Sequence, residues 1–430
     1  MSSRLIWSIS VLARRIWFRA TLFSIAAVAT ALLAIVVTPY IPADLSTKIG
    51  ADSVDNILGI IASSMLTVTT FSLSTMVSAY SAATSNVTPR ATRLVMEDST
   101  TQNVLATFVG SFLFSLVGIV ALTTGAYGEQ GRLVLFVVTI GVIVLIVVTL
   151  LRWIDHLSRL GRVTETTRRV EEATLDAVKA WRKSPNLGGK ALDGDSLEPR
   201  AGDTPFFTDE IGYVQHVDAA ALAKIADEIE CDVVILALPG KLASPARPLG
   251  WLRGALGEDV LDRAAACFSI GDVRSFDQDP RFGASVLTEI ASRALSPAVN
   301  DPGTAIDVIS RAMRILYSWH EAIGEAPEEA VYRRLNVATL TAADLFDDLF
   351  TPIARDGAGL VEVGLRLQKT LAALSKLGPQ FHSNAVRHSK EALDRAAAVI
   401  QIDADMERLR AAAAPIIADG KHIWAPGAED

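Results

Sequence analysis

The run LVLFVVTIGVIVLIVVTLL at residues 133–151 carries no charge and is almost wholly Val, Ile and Leu. At ~1.5 Å rise per residue it is long enough to cross the ~30 Å hydrocarbon core of a bilayer. Three more uncharged stretches precede it, at 20–43, 56–89 and 99–128. Together they predict four transmembrane helices within residues 1–151. Arg14, Arg15 and Arg19 stand before the first apolar run in the manner of an export signal; with three further spans behind it, that run reads as an uncleaved anchor.

Working outward, the charges divide the chain of 430 residues into two materials. Residues 1–151 hold 8 basic and 6 acidic side chains, and residues 152–430 hold 32 and 42. A remainder of net charge −10 disfavours nucleic acid as a partner, because phosphate contacts need clustered positive charge. The bilayer is the first partner expected.

Lys and Arg are retained on the cytoplasmic side of short loops. Arg4, Arg14, Arg15 and Arg19 precede span 1, Arg90 and Arg93 follow span 2, and Arg152, Arg159, Arg162, Arg168 and Arg169 follow span 4; the opposite loops carry only Lys48 and Arg132. A multi-pass protein of the bacterial inner membrane with both termini in the cytoplasm is expected, with 39–55 and 125–132 facing outward.

Span 2 is unlike the others. Ser63, Thr67, Thr70, Ser74, Ser78, Ser81, Ser85 and Thr88 recur at spacings of three and four, which confines them to a sector of roughly 80° on a helix. Two readings stand. Small hydroxyl residues permit close helix packing and bond back to their own carbonyls; hydroxyls gathered from several subunits can also line a pore. Ser111, Ser115 and Gly118 on span 3 form a shorter small-residue face. No charged residue lies inside the four spans, which argues against a proton relay. The stripe leads to a homo-oligomer and to a channel or passive permeation pathway for a small ion, regulated from the cytoplasm. The alternative is a membrane-anchored sensor or scaffold that recruits a cytoplasmic protein.

Beyond the spans, residues 152–183 read as an unbroken amphipathic extension of the fourth helix, 184–205 as a linker, 206–280 as a small α+β domain and 281–430 as a helical bundle. Within them Ile211–Val217, Val233–Leu238 and Cys267–Ile270 read as strands, and Asp218 as the N-cap of a helix running to Glu230. The fold class is therefore all-α in the membrane, with an α+β unit and a helical bundle below it.

Residues 274–305, RSFDQDPRFGASVLTEIASRALSPAVNDPGTA, with GYVQHVD at 212–218 and LPG at 238–240, resemble a family of bacterial predicted membrane proteins, domain of unknown function 2254. The resemblance implies an inner-membrane protein with an N-terminal helical membrane region and a cytoplasmic remainder, and it supplies no catalytic residue. Within the motif, Asp301 followed by Pro302 and Thr304 reads as a helix start. A second reading brings Gln278, Asp279, Asn300 and Asp301 together around a cation or polar ligand.

Cys231 and Cys267 read as reduced thiols beside apolar strands, the histidines have no ligand spacing, and Asp347-Asp348 reads as a solvated helix face. No phosphate-loop, nucleophile-elbow or dinucleotide motif occurs. The expectation is neither an enzyme nor a cofactor-dependent protein.

Overall fold

The computed structural model describes residues 7, 12–13, 15–37, 51–125, 129–192, 198–324 and 329–418. Most of the outward loop predicted at 39–55, and residues 126–128 of the second, lie outside them. The chain divides into two compact units: Ser8–Thr166, and Met1–Trp7 together with Thr167–Asp430.

The apolar unit contains α1 (Ile16–Val37), α2 (Ala51–Asn86), the short α3 (Pro89–Met96), α4 (Ser99–Thr123) and α5 (Glu129–Leu157). Among the described residues, three helices are long and apolar enough to cross a membrane, along Val54–Ala82, Ser99–Thr123 and Gly131–Leu157; Trp17–Leu33 is a shorter apolar helix. Helix α4 is central, and α1, α2 and α5 pack against it. Small side chains permit this. Ser111 and Ser115 are buried, and a Cβ at Gly118 would come 3.0 Å from Leu58 Cδ1. Leu58, Phe114 and Leu135 fill the adjoining core.

Polar contacts fix the ends of this unit. Arg19 Nη1 donates to Asn103 Oδ1 at 2.8 Å, and His156 Nε2 lies 2.7 Å from Asp98 Oδ2. The start of α1, the start of α4 and the end of α5 thus share one end. The predicted unbroken extension of the last span is corrected here: α5 stops at Leu157, and Gly161 turns the chain at φ +78. A Cβ on Gly161 would stand 3.3 Å from the Ala79 Cα and carbonyl oxygen, so this close approach beside a left-handed residue favours glycine.

The boundary between the units falls within α6, Val163–Lys183, whose residues from Thr167 belong to the second. That unit continues through β1 (Lys190–Leu192), β2 (Thr204–Phe206), β3 (Gly212–Val217), α7 (Ala219–Glu228), β4 (Val233–Ile235), β5 (Leu242–Ala243), β6 (Gly250–Leu252), α8 (Glu258–Ala265), β7 (Phe268–Gly271), α9 (Pro280–Ala294), α10 (Pro302–Gly324) and β8 (Leu335–Ala338). Helices α11 (Ala342–Asp356), α12 (Val361–Leu374), α13 (Pro379–Ala397) and α14 (Asp403–Ala418) complete it. Asp218 caps α7 as expected, accepting from the Ala221 N–H at 3.1 Å.

One sheet runs β1-β8-β4-β6-β2 and the other β5-β3-β7. β8 pairs in parallel with both β1 and β4; β6 and β2 continue the first sheet antiparallel. The assigned domain limits change accordingly. The stretch read as a linker supplies β1 and most of β2, and the stretch read as purely helical supplies β8, which lies between β1 and β4. Short strands flanked by Gly, Pro and Asp carry too little periodicity to announce themselves.

Helix α6 belongs to this unit through three contacts. Glu171 Oε2 accepts from Arg311 Nη1 at 2.5 Å, and its carboxylate also takes two bonds from Arg314. Thr174 faces Gly283 on α9. The Trp181 and Trp319 rings lie 4.3 Å apart. Trp7 is in the same unit, stacked on His216 at 5.2 Å and donating to Asp277 Oδ2 at 2.9 Å.

Candidate functional site

A cleft of about 480 Å³ opens in the sheet-and-bundle unit where β4 and β8 end. Leu236 and Leu238 follow β4, and Ala338, Thr339 and Leu340 end or follow β8; all five line the cleft. The carboxyl ends of adjacent parallel strands are a recurrent place for ligands in open α/β sheets.

Four other segments close it. After α6 the backbone takes two consecutive left-handed residues, Asn186 at φ 48 and Leu187 at φ 58, and both line the cleft. Such conformations cost on the order of 1–3 kcal/mol each for a residue like leucine. The turn Leu238-Pro239-Gly240 lies beside the start of α9, and Gly240 is at φ +89. A Cβ there would fall 2.1 Å from Asp279 Oδ2 and 2.9 Å from Arg274 Nη2. That close approach accounts physically for a glycine in the LPG turn.

Asp279 is the N-cap of α9, accepting from the Phe282 N–H at 3.1 Å. Arg274 grips it bidentately, Nε to Oδ2 at 2.8 Å and Nη2 to Oδ1 at 2.9 Å. Burial pushes its carboxyl up to about 6 although Arg274 opposes the shift. Gln278 Oε1 accepts from the Val217 N–H at 3.1 Å and so ties this corner to β3. Opposite, Arg281 donates to Asp348 through Nε at 2.6 Å and Nη2 at 3.0 Å, and to Asp344 through Nη1 at 2.8 Å. Asp348 is therefore not merely a solvated helix residue, whereas Asp347 is exposed as expected and accepts from the exposed Arg387 Nη2 at 2.6 Å. Sequence spacing could not reveal pairs between α9, α11 and α13.

The four motif residues do not converge. Gln278 and Asp279 stand at the N-terminal end of α9, whereas Asn300 and Asp301 follow its C-terminal end. Its 15 residues span ~22 Å. Asp301 caps α10 instead, accepting from the Thr304 N–H at 3.1 Å and the Thr304 hydroxyl at 2.6 Å. Asn300 adopts φ 51 and donates its N–H to the Ser296 carbonyl at 2.9 Å. The helix-start reading explains Asp301; a shared cation site does not. Among the described residues no group of three His, Cys, Asp or Glu is placed to hold a metal.

The hydroxyl stripe keeps seven of its eight members. Ser63, Thr67, Thr70, Ser74, Ser78, Ser81 and Ser85 are all exposed on α2 of the single chain. Thr67 and Ser74 bond back to carbonyls four residues earlier at 3.0 Å, and Ser78 and Ser85 do so at 3.0 and 2.9 Å. Thr88 leaves the stripe: α2 ends at Asn86, and Thr88 is the buried N-cap of α3. Ser72, away from the stripe, is buried and accepts from Trp153 Nε1 at 2.9 Å.

Helices of membrane-spanning length and apolarity, joined to a mixed sheet-and-bundle unit, define a helical membrane protein. The chain belongs to the predicted membrane protein family DUF2254, which matches it over residues 13–373. It is 28% identical over 262 residues to an uncharacterised protein of Mycobacterium bovis and to one of Mycobacterium tuberculosis; the match covers 59% of this chain and 50% of either relative. The chain thus spans about half the length of the curated relatives it matches. No solved structure matches it.

Proposed function

We propose that the chain is a homo-oligomeric permeation pathway of the bacterial inner membrane, built on four crossings, with both termini and the sheet-and-bundle unit in the cytoplasm and no catalytic chemistry of its own. The observation that carries this reading is the outward face of α2. Seven hydroxyls in line on the exposed surface of one chain would meet lipid in a monomer, whereas a ring of copies turns them toward water or one another. Their neighbours Leu66, Phe71 and Val77 are exposed too, at 51%, 64% and 58%, and offer apolar contact area on the same helix. A small ion is the permeant that neutral hydroxyls suit.

Four crossings are supported by the shared end of the apolar unit, where α1 and α4 begin and α5 finishes. An even number of traverses fits this arrangement, with α1 as the fourth beside the three longer helices. Arg19, Arg93 and Arg152 belong to that end, which the positive-inside rule assigns to the cytoplasm.

The second reading, a membrane-anchored sensor or scaffold that recruits a cytoplasmic partner, is favoured by the back-bonded hydroxyls, which are satisfied without any pore water. Conductance of the reconstituted protein separates the two. Under the pathway reading, Ser74→Leu with Ser78→Leu abolishes conductance and Val137→Leu, on the exposed face of α5, leaves it intact. Wild-type conductance unchanged in a normally assembled double variant would overturn the pathway. A monomer by light scattering in detergent and by crosslinking in membranes would overturn the oligomer. For topology, in a background with Cys231 and Cys267 replaced by serine, cysteine placed at Thr124 should label only from outside and cysteine at Ala201 only from inside; the reverse pattern would invert the model.

A further inference from the structure

We infer that the cleft at the ends of β4 and β8 binds a nucleoside monophosphate, its base against the apolar wall and its phosphate at Lys241, Arg274 and Arg281. This goes beyond the permeation pathway and does not depend on whether the spans conduct.

The cleft is lined by two chemically distinct sets of side chains. In one, Trp181, Leu187, Leu238 and Leu340 make an apolar wall, with Trp181 backed by the fully buried Trp319. An indole held from behind is a surface on which a flat heteroaromatic ring can stack. The polar set includes three cations, Lys241, Arg274 and Arg281, whose donors are only partly used. A guanidinium has five N–H donors and an ammonium three. Arg274 gives two to Asp279, and Arg281 three to Asp348 and Asp344. Lys241 is exposed, near Asp344.

Asp279, Asp344 and Asp348 balance the three cations, so the cleft offers an anion oriented donors rather than net charge. The carboxylates hold the guanidinium planes in place, and fixed forks of this kind suit phosphate oxygens. Among the described residues, Asn186 Oδ1 and Thr339 Oγ1 are buried without a hydrogen-bond partner. Both residues line the cleft. An unsatisfied buried acceptor loses stability unless something donates to it, and a ring N–H or exocyclic amine on a base would do so. An amide edge beside an aromatic wall is the usual means of reading a base. A volume of about 480 Å³ lies within the ~300–1,000 Å³ typical of small-molecule sites.

The test is isothermal titration calorimetry on the full chain in detergent, with AMP, GMP, CMP and UMP as probes and adenosine and inorganic phosphate as controls. At least one nucleotide should bind more tightly than either control. Lys241→Ala, at an exposed residue, should weaken it tenfold or more, and Thr339→Val should weaken it severalfold without lowering the unfolding midpoint of the unliganded chain. Binding of inorganic phosphate as tightly as any nucleotide would reduce the site to an anion subsite and overturn the assignment. Heat from none of the four nucleotides, or nucleotide binding unaffected by both variants, would overturn it as well. None of these readouts involves conductance, so failure here is distinguishable from failure of the pathway.

Discussion

Replacing Gly283 by alanine tests whether α6 is locked against α9. The added Cβ would lie 1.9 Å from Thr174 Oγ1 and 2.8 Å from Thr174 Cβ. Thr174 has nowhere to go: it is fully buried, its hydroxyl donates to the Val170 carbonyl at 2.6 Å, and Glu171 on the same turn is held by two arginines. Rotation about χ1 removes the contact with Oγ1 but not the one with Cβ. Overpacking of a dense core costs about 1–3 kcal/mol, and a clash with a backbone-proximal atom belongs in the upper half of that range. With ~2–4 °C lost per kcal/mol for a unit of this size, Gly283→Ala should lower the unfolding midpoint by roughly 4–12 °C in a thermal melt of the detergent-purified chain. Adding Thr174→Ala, which deletes Oγ1 and Cγ2, should recover part of the loss. A single variant melting within about 1 °C of wild type, or a double variant with no recovery, would refute the close crossing.

Four further outcomes follow. Glu171→Ala leaves Arg311, only 8% exposed at its side chain, without its buried carboxylate and should cost about 3–5 kcal/mol in denaturant unfolding. Burial pushes the Glu171 carboxyl up, but Arg314 and Arg311 outweigh it and hold it below the ordinary range; its contribution is present above the unfolded carboxylate pKa and lost as pH falls through the folded one, so Glu171→Gln should flatten the acid limb of stability against pH. Asp279 behaves oppositely: with its folded value raised to about 6, ionisation costs stability as pH rises from about 4 to 6, and melts across that window should fall more steeply for wild type than for Asp279→Asn. Ser72→Ala strands the indole N–H of Trp153, which is 2% exposed, and should destabilise the apolar unit by about 1–3 kcal/mol, read as a shift in its detergent-induced unfolding.

What the sequence disclosed follows how far each signal extends along the chain. Apolar runs such as 133–151 are long and local, so the membrane class was plain from residues alone. Caps are equally local, and Asp218 and Asp301 stand where their neighbours placed them. The sheet was partly hidden because β1 and β8 have only three and four residues and their pairing joins distant segments. The cleft was hidden more deeply. Gln278 and Asp279 stood out as motif residues, but Lys241, Arg281, Asn186 and Thr339 come from separate elements, and no spacing rule relates them. Only the left-handed turn at Asn186 and Leu187, a property of the backbone, marks the corner they share.

The position of β8 also governs the order in which the chain can be made. β4 ends at Ile235 and its parallel neighbour begins at Leu335, so on a ribosome adding ~5–20 residues per second the nascent β4 edge waits on the order of 5–20 seconds for its partner. During that interval β4 can pair with β6, which follows it by 15 residues, and through β6 with β2, which was translated before it. The apolar helices have left the exit tunnel long before, so this open edge exists on a chain already engaged with the membrane. Strand edges left unpaired invite association with other chains. Tethering to a bilayer and the early antiparallel pairing are the protections available until residue 338 emerges. A slowed codon run between 236 and 334 would therefore be expected to lower the yield of folded protein without altering a single side chain.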